Sequence, residues 1–317
     1  MAVKTSFTAD DFRQILVRYN LGTLVDYAPF AQGTDQTNLL LTTTQRAVVL
    51  RYYEKRTLDY AAFEIALLQY LTRHTYPCAA PIADQAGCYL SLYKEKPLAL
   101  FELLPGEHAD NPQNALQVAE VIGKLHTLTI RYQPPTGGTR PTYDQAYCWS
   151  WAAQSAGRIG SEVEAKRRLA WMQGELAQLV LPEQLPRGVC HSDLNPSNFL
   201  YQQGKLSGVL DFDQASYTWL LYDVGQLLYW WAWPDNGELD LQQSRTLLKH
   251  YEQQRPMTGD EHEHLFDALK LVILIGIGWF LDDDDGCANA QRKIALLNDV
   301  GRVAFSEHLF GDASAYP

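Results

Sequence analysis

Residues 189 to 212 break the periodicity of their surroundings. FLYQQGKLSGVLDF, residues 199 to 212, reads as two short strands joined by QQGK, a β-hairpin set in a stretch that is otherwise helical. The polar run HSDLNPSN, residues 191 to 198, leads into the first strand, and LDFD ends the second. A hairpin returns the chain to where it began, so His191, Asp193 and Asn198 must lie near Asp211 and Asp213 in any fold that keeps it.

These residues could do no more than turn the chain. Their types and spacing also suit phosphoryl transfer to an alcohol, which needs a carboxylate to take the hydroxyl proton and oxygen ligands to hold Mg2+ across the phosphates. In that use Asp193 is the base, and Asn198 and Asp211 are the metal ligands. Asp213, two residues on in a strand-like stretch, points the same way and is a candidate for a second metal or its waters. Asn195 has no chemical role in this scheme and shapes the turn before Pro196.

The rest of the chain divides at about residue 103. LVDYAPFA, NLLLTTT and AVVLRYY, between residues 24 and 53, are rich in β-branched and aromatic residues and form an antiparallel meander. From Thr57, a cap, to His74 the spacing of Phe63, Leu67, Tyr70 and Leu71 is that of a helix. GCYLSLY and LALFELL then pair around KEKP. This predicts a five-stranded antiparallel sheet with one inserted helix over residues 1–103, a hinge in LLPGEHAD, and a mostly helical second part over 104–317. Helices are expected at 113–129, 161–180, 219–231, 241–254 and 261–281.

Composition removes other function classes. A net charge of -11, with 26 dispersed Lys and Arg, repels a nucleic-acid backbone and suits a cationic or zwitterionic small molecule. Five cysteines, odd in number and without a CxxC pair, argue against a disulfide framework or a zinc site and fit a reduced, cytoplasmic compartment. The N-terminal segment lacks the apolar core of a signal peptide. LVILIGIGWFL, residues 271 to 281, is too short to span a bilayer and reads as a buried helix. Asp282 to Asp285, which follow it, read as a solvated loop. His126 reads as a packed or capping histidine, and Trp230, Trp231 and Trp233 as core.

CHSDLNPSNFL, GVLDFDQA and LYDVGQLL together resemble the aminoglycoside phosphotransferase and choline kinase superfamily, relatives of protein kinases, over nearly the whole chain. YNLGTL, GTDQTN and WLLYD are most similar to type II homoserine kinases. The resemblance implies a bilobal protein-kinase-like α+β fold, ATP and Mg2+ as cofactors, and a small hydroxyl-bearing acceptor. It places the nucleotide loop at Gln32 to Asn38, with Gly33 allowing close backbone approach and Asn38 meeting phosphate. The basic residue of the third strand falls at Arg51, where the family has lysine, paired with Glu64. Adenine then bonds near Phe101 to Leu103, and Asp223 and His191 support the catalytic loop. Homoserine is the favoured acceptor. The helix at 261–281 carries only Lys270 to meet its carboxylate, so another amine-containing acceptor, related to aminoglycosides, choline or methylthioribose, stays open. A nucleotide-binding protein without turnover also stays open, with Arg51 in its favour.

Overall fold

The computed structural model describes residues 5–30, 36–108, 114–134, 140–234 and 237–311. Its N-terminal lobe is built on β1 (Leu24–Pro29), β2 (Thr37–Thr43), β3 (Ala47–Tyr52), β4 (Pro81–Ile82), β5 (Ser91–Tyr93) and β6 (Lys96–Glu102). The antiparallel order is β1-β2-β3-β6-β4, with β5 paired to β6. Pro81–Ile82 adds one very short strand to the five expected. Lys94 and Glu95, the tip of the β5–β6 hairpin, both take positive φ, as a tight two-residue turn demands.

Helices cover both faces of the sheet. One is α1 (Ala9–Leu16), which the periodicity did not reveal. Thr8 and Asp11 form a reciprocal capping box at its start, and Phe12, Ile15 and Leu16 pack with Leu39, Leu41 and Leu50 of the sheet. The other is α2 (Leu58–Arg73), capped by Thr57 as expected. Its buried residues Phe63, Leu67 and Leu71 belong to the apolar core that continues through the helices of the second lobe. α2 and β6, through Ala99 and Phe101, are thus elements through which the two lobes share a core.

The second lobe contains α3 (Asn114–Thr129), α4 (Gln145–Ala156), α5 (Glu162–Leu176), α6 (Leu220–Trp231), α7 (Leu241–Gln254), α8 (Gly259–Phe280), α9 (Asp284–Val300) and α10 (Arg302–Phe310). Five match the expected helices. α4, α9 and α10 are additional, and α9 corrects one reading. Asp282 to Asp285 are exposed, as expected, but they do not form a loop: Asp283 caps α9, Asp284 and Asp285 occupy its first turn, and Asp282 and Asp284 pair with Arg158 and Arg168. Acidic side chains there are stabilised by the unpaired amides of the helix N-terminus. α8 is buried as expected, and among the described residues no helix is long and apolar enough to cross a membrane.

Four strands interrupt the helices: β7 (Arg187–Cys190), β8 (Phe199–Gln202), β9 (Lys205–Val209) and β10 (Ser216–Trp219). β8 and β9 are the expected hairpin, turning at Gln203 and Gly204, both at positive φ. β7 and β10 pair outside it, so the chain enters and leaves the hairpin at one place. The sheet connects to this region through the segment after β6. There Gly106 has φ +120, and a Cβ would lie 2.9 Å from the Tyr201 carbonyl oxygen.

One buried carboxylate organises the approach to the hairpin. Asp223 of α6 accepts from the backbone amides of His191 (2.7 Å) and Ser192 (2.8 Å). It also meets His126 Nε2 at 3.2 Å. Burial pushes the His126 pKa down, so the ring is neutral. A carboxylate only accepts, so Nε2 carries the proton and Nδ1 accepts from the Tyr251 hydroxyl at 2.7 Å. Tyr251 in turn accepts from Arg255, which is bidentate to Glu261, the residue that bonds back to the cap Thr258 of α8. Asp223→Asn turns an N–H toward amides that need an acceptor. We expect the folded state to lose about 2–4 kcal/mol, read as a lower urea midpoint with an unchanged slope.

Candidate active site

The turn that Asp223 holds projects Asp193 into a cleft. The amides of His191 and Ser192 both reach the Asp223 carboxylate, and Ser192 takes φ 68, a left-handed conformation that non-glycine residues rarely adopt, so the chain bends directly after them. Leu194 is fixed next: its amide donates to Gln226 Oε1, and its carbonyl accepts from Trp231 Nε1. Asn195 accepts from the Ser197 amide and caps the 3-10 turn Pro196–Asn198. That turn sets Asn198 at the mouth of β8.

Asp193 and Asn198 then meet directly. The Asn198 Nδ2 group donates to the Asp193 carbonyl at 2.9 Å and to its carboxylate at 3.0 Å. With Nδ2 engaged, Oδ1 is the atom of this side chain that could hold a cation. His191 ties the same loop to the far strand of the hairpin. Its Nε2 donates to the Leu210 carbonyl at 2.7 Å, and Nδ1 accepts from the Asp193 amide at 3.3 Å. The residue after Leu210 is Asp211, which has φ 59 and an accessible carboxylate. The two ends of the hairpin are therefore joined by specific bonds.

Burial raises the Asp193 pKa above its ordinary 3.8; His191 and Asn198 pull it down, and Asp211 adds to the rise. A carboxylate tuned upward in this way is a better proton acceptor than a free one.

Above this floor stands Arg51 of β3. Its guanidinium contacts Glu64 of α2 at 2.6 Å, Asp211 at 3.3 Å and Asn38 Oδ1 at 3.1 Å. Burial alone would lower the Arg51 pKa, but Glu64 and Asp211 outweigh it and the net shift is upward. Burial raises that of Glu64, with Arg51 opposing. Asn38 lies opposite Arg51 in the β2–β3 register and faces its guanidinium. Gly33 falls outside the described residues. Phe101 is buried and Leu103 exposed, and both line the cleft.

Asp213 lines the cleft together with Asp211 but differs from the expectation in its surroundings. The residue lies in a 3-10 turn, not a strand, and both carboxylate oxygens accept from Arg56. Neither Arg56 nor Arg140, which donates to the Asp213 and Ala215 carbonyls, carried any local signal in the sequence.

The cleft has a volume of about 1970 Å³. Single ligand pockets are about 300–1,000 Å3, so nucleotide and acceptor can share it. Its second-lobe side is lined by Tyr229, Trp230, Ile273, Ile277, Trp279 and Phe280, and by Asp283 and Asn289. The tryptophan cluster divides, since Trp230 lines the cleft while Trp233 is core. Lys270 does not reach this side: it is buried and paired with Glu175 at 2.6 Å. Among the described residues, the Lys and Arg side chains of the cleft are Arg51 and Lys55, both from β3 and the segment after it.

The chain is similar to known phosphotransferases and kinases. Residues 26–257 match the model of the phosphotransferase enzyme family. A homoserine kinase of Gluconobacter oxydans is 30% identical over 98% of this chain and 100% of its own length. One from a Caulobacter species is 33% identical over 83% of this chain and 82% of its own. Among solved structures, a microcompartment-associated aminopropanol kinase superposes with a TM-score of 0.70 at 16% identity, covering 95% of this chain and 99% of that one. An amicoumacin kinase in complex with AMP-PNP and Ca2+ gives 0.69 at 19% identity, covering 92% and 93%. The second pair speaks for the fold and the first for the family. With the family match spanning most of the chain and the cleft built around Asp193, the chain belongs to the phosphotransferase enzyme family and is a small-molecule kinase that acts on a hydroxyl group.

Proposed function

We propose that the chain transfers the γ-phosphoryl group of ATP to the hydroxyl of a small amine-bearing metabolite, with homoserine the favoured acceptor. The observation that carries this is the joined pair of hairpin ends: the Asp193 carboxylate is bonded to the amide of Asn198, and its loop is bonded through His191 to the segment of Asp211. Residues 1–103 form the nucleotide-binding lobe in this reading and 104–317 the catalytic and acceptor-binding lobe. Adenine lies against Phe101 and Leu103, and the phosphates lie below Arg51.

Asp193 accepts the hydroxyl proton as the acceptor oxygen attacks phosphorus, and the leaving group is ADP. Asn198 Oδ1 and the Asp211 carboxylate are hard oxygen donors, a set suited to Mg2+, which when bound neutralises charge on the phosphates. Arg51 holds a fixed guanidinium above them, braced by Glu64, and its planar fork can replace lysine as a phosphate contact. His191 and Asp223 hold the loop and touch no reactant. A cytoplasmic setting suits such an enzyme, and the described cysteines are all free thiols.

Asp193→Ala should lower kcat by about a hundredfold to ten-thousandfold while ATP affinity stays within about twofold, measured by steady-state kinetics and calorimetry. Normal kcat in that variant removes Asp193 as the base. The base must be ionised, and its pKa lies above 3.8, so kcat/KM should fall with unit slope as the pH drops below the raised value.

A second reading concerns only the acceptor. The aromatic wall, Asp283 and the position of Lys270 favour an amino alcohol without a carboxylate. Homoserine and its decarboxylated counterpart, 3-aminopropan-1-ol, separate the two readings because they differ by that one group. Faster ADP release with homoserine supports the first reading, and faster release with the amino alcohol supports the second. If no acceptor raises ADP release although Mg-ATP binds, the chain is a nucleotide-binding protein without turnover.

A further inference from the structure

We propose that Arg56, Asp213 and Arg140 form a latch between the lobes that positions α2, and through it Arg51, for nucleotide binding. The inference rests on the kinase reading above and assigns Asp213 a mechanical role in place of a metal ligand.

Arg56 lies in the short connection between β3 and α2, immediately before the cap Thr57. Its Nε reaches both Asp213 oxygens, at 3.2 and 3.1 Å, and Nη2 closes the fork at 2.5 Å. The pair is well shielded, with the Asp213 side chain 5% exposed and that of Arg56 22% exposed. A bidentate, partly desolvated pair is stronger than the surface pairs that contribute little. Both oxygens of Asp213 are therefore engaged by a cation that is part of the protein.

Arg140 completes the latch from the other side. It donates to the Ala215 carbonyl at 2.8 Å and the Tyr60 carbonyl at 2.7 Å, and also to the Asp213 carbonyl. Its guanidinium lies 3.8 Å from the centre of the Tyr60 ring, and that of Arg56 lies 4.5 Å from it. Tyr60 is thus held by two cations that are both bonded to Asp213. One helical turn further along the same face stands Glu64, the partner of Arg51.

The contacts close into a ring. Arg51 touches Asp211 and Glu64; Glu64 and Tyr60 share α2; Tyr60 is held against Arg56; Arg56 grips Asp213; and Asp213 is two residues from Asp211. Opening the ring at Arg56 frees the first turns of α2 from the hairpin. Glu64 then no longer sets Arg51 over the phosphates. Asp193 and Asn198 lie outside the ring and are held by their own bonds.

The test is a double-mutant cycle on the full chain with Arg56→Gln, Asp213→Asn and both, with Arg56→Lys as the conservative variant. For each, KM for ATP, kcat, the Mg2+ concentration for half-maximal rate and the thermal midpoint are measured. The latch predicts that either single substitution raises KM for ATP by about tenfold, leaves kcat within about threefold, and does not move the Mg2+ midpoint at saturating ATP. The double variant should be no worse than either single one, and Arg56→Lys should recover part of the loss. A shift of the Mg2+ midpoint in Asp213→Asn but not in Arg56→Gln overturns the proposal in favour of a metal ligand. Single effects that multiply overturn it too, as does a lower thermal midpoint with KM for ATP unchanged. If the unsubstituted chain shows no acceptor-dependent ADP release, the kinase reading fails by itself. The latch is then judged by the same cycle on the dissociation constant of AMP-PNP.

Discussion

The structure depends first on the Asp223 carboxylate, which is fully buried on α6. A charge in that position is tolerated only where its lone pairs are all used. The donors on hand are two successive amides of the loop and the neutral ring of His126. The two amides are successive, and directly after them the chain turns left-handed at Ser192, so the bonds to Asp223 pin the loop where it bends. The loop conformation is therefore dictated by the need to satisfy a buried anion, and the direction of Asp193 follows from the loop. Chemistry at the surface of the cleft is set by a residue that never meets a substrate.

The same logic runs outward. Asn198 divides its amide group, with nitrogen toward Asp193 and oxygen left over, so one side chain orients the proposed base and keeps an oxygen for the proposed metal. His191 divides its ring in a similar way, donating to Leu210 and accepting from the loop amide. Neither residue can rotate without opening a bond on the opposite side. The floor of the cleft is rigid for this reason, whereas its roof, Arg51, is braced through α2 and so depends on how the lobes are joined.

What the sequence made legible was local. The hairpin, the meander, the Thr57 cap and α7 at 241–254 have periodicity or turn chemistry that lies within a few residues. The polar set at 191 to 211 was legible because a hairpin guarantees that its ends meet. α1 was missed although Thr8-x-x-Asp11 is a capping signal and Phe12, Ile15 and Leu16 recur at helical spacing, since its eight residues give that spacing only about two turns in which to show. α9 was missed because four acids in succession suggest a loop, while here the second of them caps a helix and the next two fill its first turn. Arg56 and Arg140 meet Asp213 across 157 and 73 residues of chain, and nothing short-range in the sequence announces such pairs. Lys270 misled in the opposite sense: its place in an apolar helix drew attention to it, yet it is matched by Glu175 and faces away from the cleft.

The acceptor end poses an electrostatic question that α8 answers in part. A carboxylate set among Trp230, Ile273 and Ile277, near Asp283, would lose water and gain no partner, a loss of several kcal/mol by the general cost of desolvating an unpaired charge. An ammonium group in the same place gains the faces of the aromatic rings and a nearby anion. The rim is different, for Trp279 is 55% exposed and Phe280 54% exposed. A zwitterion can therefore enter with its ammonium toward the rings and its carboxylate toward the open rim, where water replaces the missing cation. In that orientation homoserine needs no arginine on α8, and the acceptor hydroxyl still has to reach Asp193 from the rim. Discrimination between an amino acid and an amino alcohol then rests on how much water the rim admits.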